Sequence, residues 1–199
     1  MQRMSKISAI LLDAGATVTP EMKESVKRIG KDFEFVREKF NKDKVDEVSD
    51  ALIKLYQLFD VEPVANRIMH DGTTPIQVKA TTRTKQHQEL WEYLIPAQGH
   101  AQTVQGEVIR ITGRVSHEVL DNGGGNWDAE YRKMLDALIH HLSSGTPLSP
   151  ALLQEATDLA NRLRNGYDFD APARLSELAV LWVLANPQPI TMAQPEYSR

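Results

Sequence analysis

The sequence predicts an all-α protein: a helical bundle with an N-terminal antiparallel αα-hairpin and a compact C-terminal multi-helix part. Three observations carry this. Apolar residues recur at three- and four-residue steps along most of the 199 residues. Capping residues such as Thr, Ser, Asp and Asn stand before these runs, and Gly or Asn-Pro follows them. The alternation of a half-buried strand is nearly missing.

Taken in order, residues 5–15 read as a short helix with Ile7, Ile10 and Leu11 turned inward, although the run "ISAILL" also suits a strand. Thr19 then caps a helix with Pro20 in its first position. Met22, Val26, Ile29, Phe33, Val36 and Phe40 follow as a heptad seam. The polar stretch "NKDK" breaks it, and Val45, Val48, Leu52, Leu55 and Phe59 form a second seam. Two such helices with a short polar loop fold back on each other. Gly30 lies inside the first, where close packing or a bend explains it.

Residues 61–84 lose the pattern and carry two prolines and a D-G turn, with a short strand expected at "IQVKA". A helix over "KQHQELWEYL" ends before Pro96. Thr103 opens the next, with Val104, Val108, Ile111, Val115 and Val119 on one face and a stop at Asn122-Gly123. Asn126 or Asp128 caps a helix with Trp127, Tyr131, Met134, Leu135, Leu138 and Leu142 inward, and Gly145 closes it. Ser149-Pro150 starts another that Gly166 ends, and Asp170 caps the last, which stops at Asn186-Pro187. This makes seven helices at most. The expected divisions are a hairpin over 1–72, a connection over 73–84, a helical core over 85–186 and a flexible tail over 187–199.

Composition narrows the function. A net charge of -4 speaks against a nucleic-acid binder, which clusters Lys and Arg. Residues 1–100 hold 15 basic and 15 acidic side chains, and residues 101–199 hold 8 and 12, so the acidic excess sits in the second half. The chain has no cysteine, so disulfides and a thiol nucleophile are excluded. No apolar run approaches a membrane span, and the N-terminal one is too short for a signal core. The expected location is the cytoplasm.

One region concentrates polar chemistry. Glu107, Arg110, Arg114, His117, Glu118 and Asp121 recur at three- and four-residue steps opposite the apolar face of their helix. Glu107 is spaced to pair with Arg110, and Arg114 with Glu118. The glycines 123–125 and then Asn126 and Trp127 follow directly. Closing the turn needs one left-handed glycine, so three leave room for a flexible loop or a close approach. "HEVLD" partly resembles the H-E-x-x-H signature of zinc hydrolases, which implies His117 and Asp121 as ligands and Glu118 as base. It departs from that signature at the last ligand, and no third ligand follows in sequence. Adjacent His140 and His141 point apart and suit a helix C-terminus.

No motif identifies a known family, and the sequence calls for no cofactor and no metal. The first expectation is a protein-interaction module, an inhibitor or immunity-type binder of another protein, or a self-associating helical protein. The alternative is a small hydrolase or ligand-binding enzyme built on the face 107–121 and the loop 123–125, with Glu107, Glu118 or His117 as base and Arg110 or Arg114 holding an anion.

Overall fold

The computed structural model describes residues 1–164 and 167–199. Gly166, expected to end a helix, lies outside the described residues. Among these residues there are eight α-helices, a 3-10 turn and no strand. They are α1 (Gln2–Asp13), α2 (Pro20–Val36), α3 (Lys42–Phe59), α4 (Arg83–Leu94), α5 (Val104–Leu120), α6 (Ala129–Leu142), α7 (Pro150–Leu163) and α8 (Ala171–Ala185). The all-α class holds, with one helix more than expected. The chain divides into two units, Met1–Arg67 and Ile68–Arg199.

In the first unit, the Thr19 hydroxyl accepts the Met22 N–H, and Asn41 caps α3 through the Asp43 N–H at 2.9 Å. The seams of α2 and α3 meet around Val26, Phe33, Leu52, Leu55 and Tyr56. α2 stops at Val36, and the turn Arg37–Lys39 lets Phe40 pack edge-on against Phe33 at 5.5 Å. Gly30 is a close-packing position, because a Cβ there would run into the Tyr56 hydroxyl.

α1 packs on α3 the other way round from expectation. Ser5 is its buried residue, while Ile7, Ile10 and Leu11 are 49%, 67% and 55% exposed. Periodicity finds the apolar stripe of a helix but does not say what covers it. Here Ser5 is the buried contact, Met1 and Leu12 are half-buried, and Ile7, Ile10 and Leu11 stay outside.

In the second unit α5 is the central helix, packed by α4, α6 and α8. Every residue from Val104 to Thr112 is buried. A helix covered on three sides has no solvated face for a polar stripe, so the polar residues of its first turns had to be neutralised inside the fold. α8 runs through the same core, with Trp182 fully buried and its indole N–H donated to the Ser144 carbonyl at 3.0 Å. Asp170 stands at its N-cap position as expected, but its side chain makes no capping bond and Asp168 takes that part. Asp168 accepts the N–H groups of Asp170 and Ala171.

The segment 73–84 belongs to this second unit and forms no strand. Ile76 is buried and donates its N–H to the Pro187 carbonyl. The Lys79 and Ala80 N–H groups go to the Glu89 carboxylate, so a side chain replaces a second strand.

The tail from residue 187, expected to be mobile, is instead pinned along α5. Gln105, fully buried, donates to the carbonyls of Asn186 and Gln188 and accepts the Ile190 N–H. Val104 N–H meets the Ile190 carbonyl, and Met192 N–H meets the Gln102 carbonyl, with an isolated bridge between Thr103 and Thr191. Tyr197 is buried again at the far end.

Candidate functional site

The first two turns of α5 place Glu107 and Arg110 at the centre of the second unit. The pair forms as its spacing predicts. Arg110 Nε donates to Glu107 Oε2 at 2.9 Å and Arg110 Nη2 to Oε1 at 2.7 Å. Glu107 is fully buried and also accepts the Ala101 N–H at 3.0 Å and the Tyr197 hydroxyl at 2.6 Å. His100 Nδ1 lies 2.9 Å from Arg110 Nη2 and 3.2 Å from Glu107 Oε1. Nδ1 accepts from the arginine when it carries no proton and donates to the carboxylate when it carries one. Arg110 Nη2 further donates to the backbone oxygen of Arg199 at 2.6 Å.

Burial alone would raise the Glu107 pKa, but Arg110, Tyr197 and the Ala101 N–H outweigh it and hold it at about 2. Burial and the neighbouring Glu107 push the Tyr197 hydroxyl far above the ordinary phenol range. A carboxylate held this low, with every lone pair occupied, is a poor general base, since a catalytic base works best near the operating pH.

Further along α5 the predicted set divides. Arg114 is half-buried, and its Nε is enclosed without a hydrogen-bond acceptor. Glu118 is 2% exposed and turns to the glycine loop instead of to Arg114. It accepts the Asn126 N–H at 2.6 Å, the Asn122 and Asn126 amides at 3.1 and 3.2 Å, and the Tyr131 hydroxyl at 3.5 Å. Burial opposes ionisation of Glu118, and these donors lower its pKa on balance. His117 and Asp121 are exposed and pair with each other at 2.7 Å. The resemblance to a zinc hydrolase site therefore fails on geometry, because the glutamate points into the loop and the other two residues close on themselves. Among the described residues no group of three or more His, Asp or Glu side chains is arranged to hold a metal ion.

The glycines have a structural account. Gly123 and Gly124 sit at φ of 60° and 75°, the left-handed region that a side chain resists. Gly124 N–H donates to the Glu118 carbonyl, and its own carbonyl accepts the Trp127 N–H. Asp128, not Asn126, caps α6, through the N–H groups of Glu130 and Tyr131. Trp127 is half-buried, stacked on Tyr131 at 4.7 Å and 10°, with its indole N–H on the Arg164 carbonyl.

The candidate site expected from the sequence does not include His100, His141, Tyr131, Tyr197 or Arg199. His141 is half-buried at the end of α6, its Nε2 enclosed without a partner. Burial and the adjacent His140 lower its pKa, and Glu107 counters them in part. Arg199 grips Asp128 with Nε at 3.0 Å and Nη2 at 2.6 Å, reaches the Asn126 carbonyl, and lies 4.9 Å over the Tyr131 ring. The tyrosine and the arginine among the last three residues of the Pro-containing tail were the available signal. A cleft of about 280 Å³ opens beside α4, lined by Met69, His70, Gly72, Leu94, Pro96, Gln102 and Thr103. It is open to solvent and encloses room for little more than a single water molecule, far short of a small-molecule site.

Comparison with known proteins returns no matching family model, no matching curated protein and no matching solved structure.

Proposed function

We propose that this chain is a protein-interaction module that binds another protein through the apolar face of α1. The observation that carries the reading is that face. Met4, Ile7, Ile10 and Leu11 are each 45% exposed or more, and Met4, Ile7 and Leu11 share one helical stripe. Arg3 and Lys6 are exposed along its flank. A contiguous apolar stripe with charges at its edge is the usual anatomy of a binding surface. The fitting partner is an amphipathic helix of another protein with acidic residues opposite Arg3 and Lys6. The polar stripe of α5 supports this reading from the other side. Its buried acids, Glu107 and Glu118, have their oxygens taken by hydrogen bonds, and its exposed Asp121 is paired with His117.

The test is site-specific photo-cross-linking from Leu11, with exposed Lys54 as the control position. The expected result is one discrete adduct from Leu11, none from Lys54, and loss of the adduct in Ile7→Asp. No adduct from Leu11, together with saturable stabilisation or turnover of a small molecule in a ligand panel, would reverse the assignment in favour of a ligand-binding enzyme.

A further inference from the structure

The C-terminal segment is held at two separate places, and the second resembles a bound peptide more than packed core. Residues up to Met192 are tied to α5 and to the residues just before it by backbone and Gln105 hydrogen bonds. Residues 193–196 carry none of the tail's hydrogen bonds, and three of these four are exposed. The last three residues are then each read by a different group. The Tyr197 hydroxyl meets buried Glu107 at 2.6 Å. Ser198 N–H meets Glu130 at 2.7 Å, and the Arg199 guanidinium meets Asp128, the Asn126 carbonyl and the Tyr131 face.

We propose that this groove between α5 and the start of α6 is an exchangeable peptide-binding site. Its ligand is an extended peptide with a phenol two residues before an arginine, and the chain's own C-terminal segment is the resident occupant. The site is separate from the α1 face and does not rest on it.

Two features make exchange feasible. The segment 193–196 is free to act as a hinge. When the segment leaves, Glu107 keeps both bonds from Arg110 and the Ala101 N–H, and Arg110 gives up the Arg199 backbone oxygen but keeps Glu107, so no buried charge is left unpaired. The tethered segment competes at high effective concentration, so a second peptide binds well only once the tether's own contacts are weakened.

The experiment uses the full chain carrying Tyr197→Phe and Arg199→Ala, with an N-acetylated, dye-labelled hexapeptide Gln-Pro-Glu-Tyr-Ser-Arg as probe. Fluorescence anisotropy should show saturable binding at least tenfold tighter than to the unaltered chain. It should weaken at least tenfold when the probe carries Phe for Tyr and Ala for Arg, and also with Asp128→Asn in the protein. Equal binding to altered and unaltered chains, or indifference to the probe's Tyr and Arg, overturns the proposal. If the double variant does not fold, amide exchange in the unaltered chain decides. The Ser198 N–H should exchange at least tenfold faster than the Met192 N–H, whereas exchange of Ser198 only on global unfolding refutes an opening groove.

Discussion

Glu107→Gln separates a structural from a catalytic role most sharply. The amide keeps the shape of the carboxylate and removes its charge. Three consequences follow from the contacts. Arg110 stays buried and loses its counter-charge. The Ala101 N–H, which donates to Oε2, faces either an oxygen or an NH2 group, depending on the flip. The Tyr197 hydroxyl or Arg110 then meets the wrong end. Breaking a buried pair from one side costs about 3–5 kcal/mol. The fall of the Glu107 pKa from its ordinary 4.5 to about 2 gives an independent figure of about 3 kcal/mol. The two agree, and for a unit of this size they correspond to a fall of roughly 10–20 °C in its unfolding midpoint. The pH dependence follows from the sign of the change. The folded value lies below the unfolded one, so the stabilisation is complete above about 4.5 and is lost as pH falls towards about 2. Urea unfolding of wild type and variant should differ by about 3–5 kcal/mol at pH 7 and converge by pH 2. Arg110→Met should cost less in the variant background than alone, because no orphaned charge remains. A loss below about 1 kcal/mol at pH 7, within the range of a surface pair, would refute the reasoning, as would a gap that ignores pH.

Three other expectations use different parts of the same unit. Gly113→Ala should destabilise by about 1–2 kcal/mol: the helix gains about 1 kcal/mol, but the new methyl meets the Trp91 ring and overpacking costs more, which urea unfolding and tryptophan fluorescence will show. His87 packs against Thr112, and burial lowers its pKa from 6.5 to about 4 although the Ile109 carbonyl partly offsets this. Its neutral form is the folded one, so stability is full above pH 6.5 and falls by about 3 kcal/mol towards pH 4, and His87→Gln should flatten that limb of the stability profile. Asn186→Ala removes the acceptor of the Thr146 N–H and the donor to the Thr146 and Trp182 carbonyls, so thermal unfolding should register a loss of about 2–3 kcal/mol.

What the sequence made legible was local. Thr19, Thr103, Asp128 and Ser149 cap the helices that their positions announce, because a cap acts on N–H groups two or three residues away. The pairing of Glu107 with Arg110 was legible for the same reason. Depth was not legible. The same spacing that puts Glu107, Arg110 and Glu118 opposite an apolar face describes a solvated surface or a buried seam. Only the packing of α4, α6 and α8 around α5 decides between them. α1 shows the converse case, where a clear apolar stripe stays outside and Ser5 is the buried contact.

The tail is where these two kinds of ignorance meet. Pro-containing and short of apolar residues, residues 187–199 have no core of their own to bury, and locally they read as mobile. They become ordered because α5 holds acceptors and donors that its own helix cannot satisfy. Gln105 is fully buried, and the backbone of 186–190 supplies what its amide requires. Glu107 is buried with lone pairs to spare after Arg110, and the Tyr197 hydroxyl fills one. A buried polar side chain thus recruits a distant segment, and the demand is written at residues 105 and 107 while the supply is written more than eighty residues later. Replacing Gln105 by Leu, together with Glu107→Leu and Arg110→Met so that no buried charge is orphaned, should therefore free the tail before it unfolds α5. Limited proteolysis with a broad-specificity protease would show this as cleavage confined to residues 187–198. Cleavage spread evenly through α5 would mean that the tail contributes to the core of the unit and is not a recruited strap.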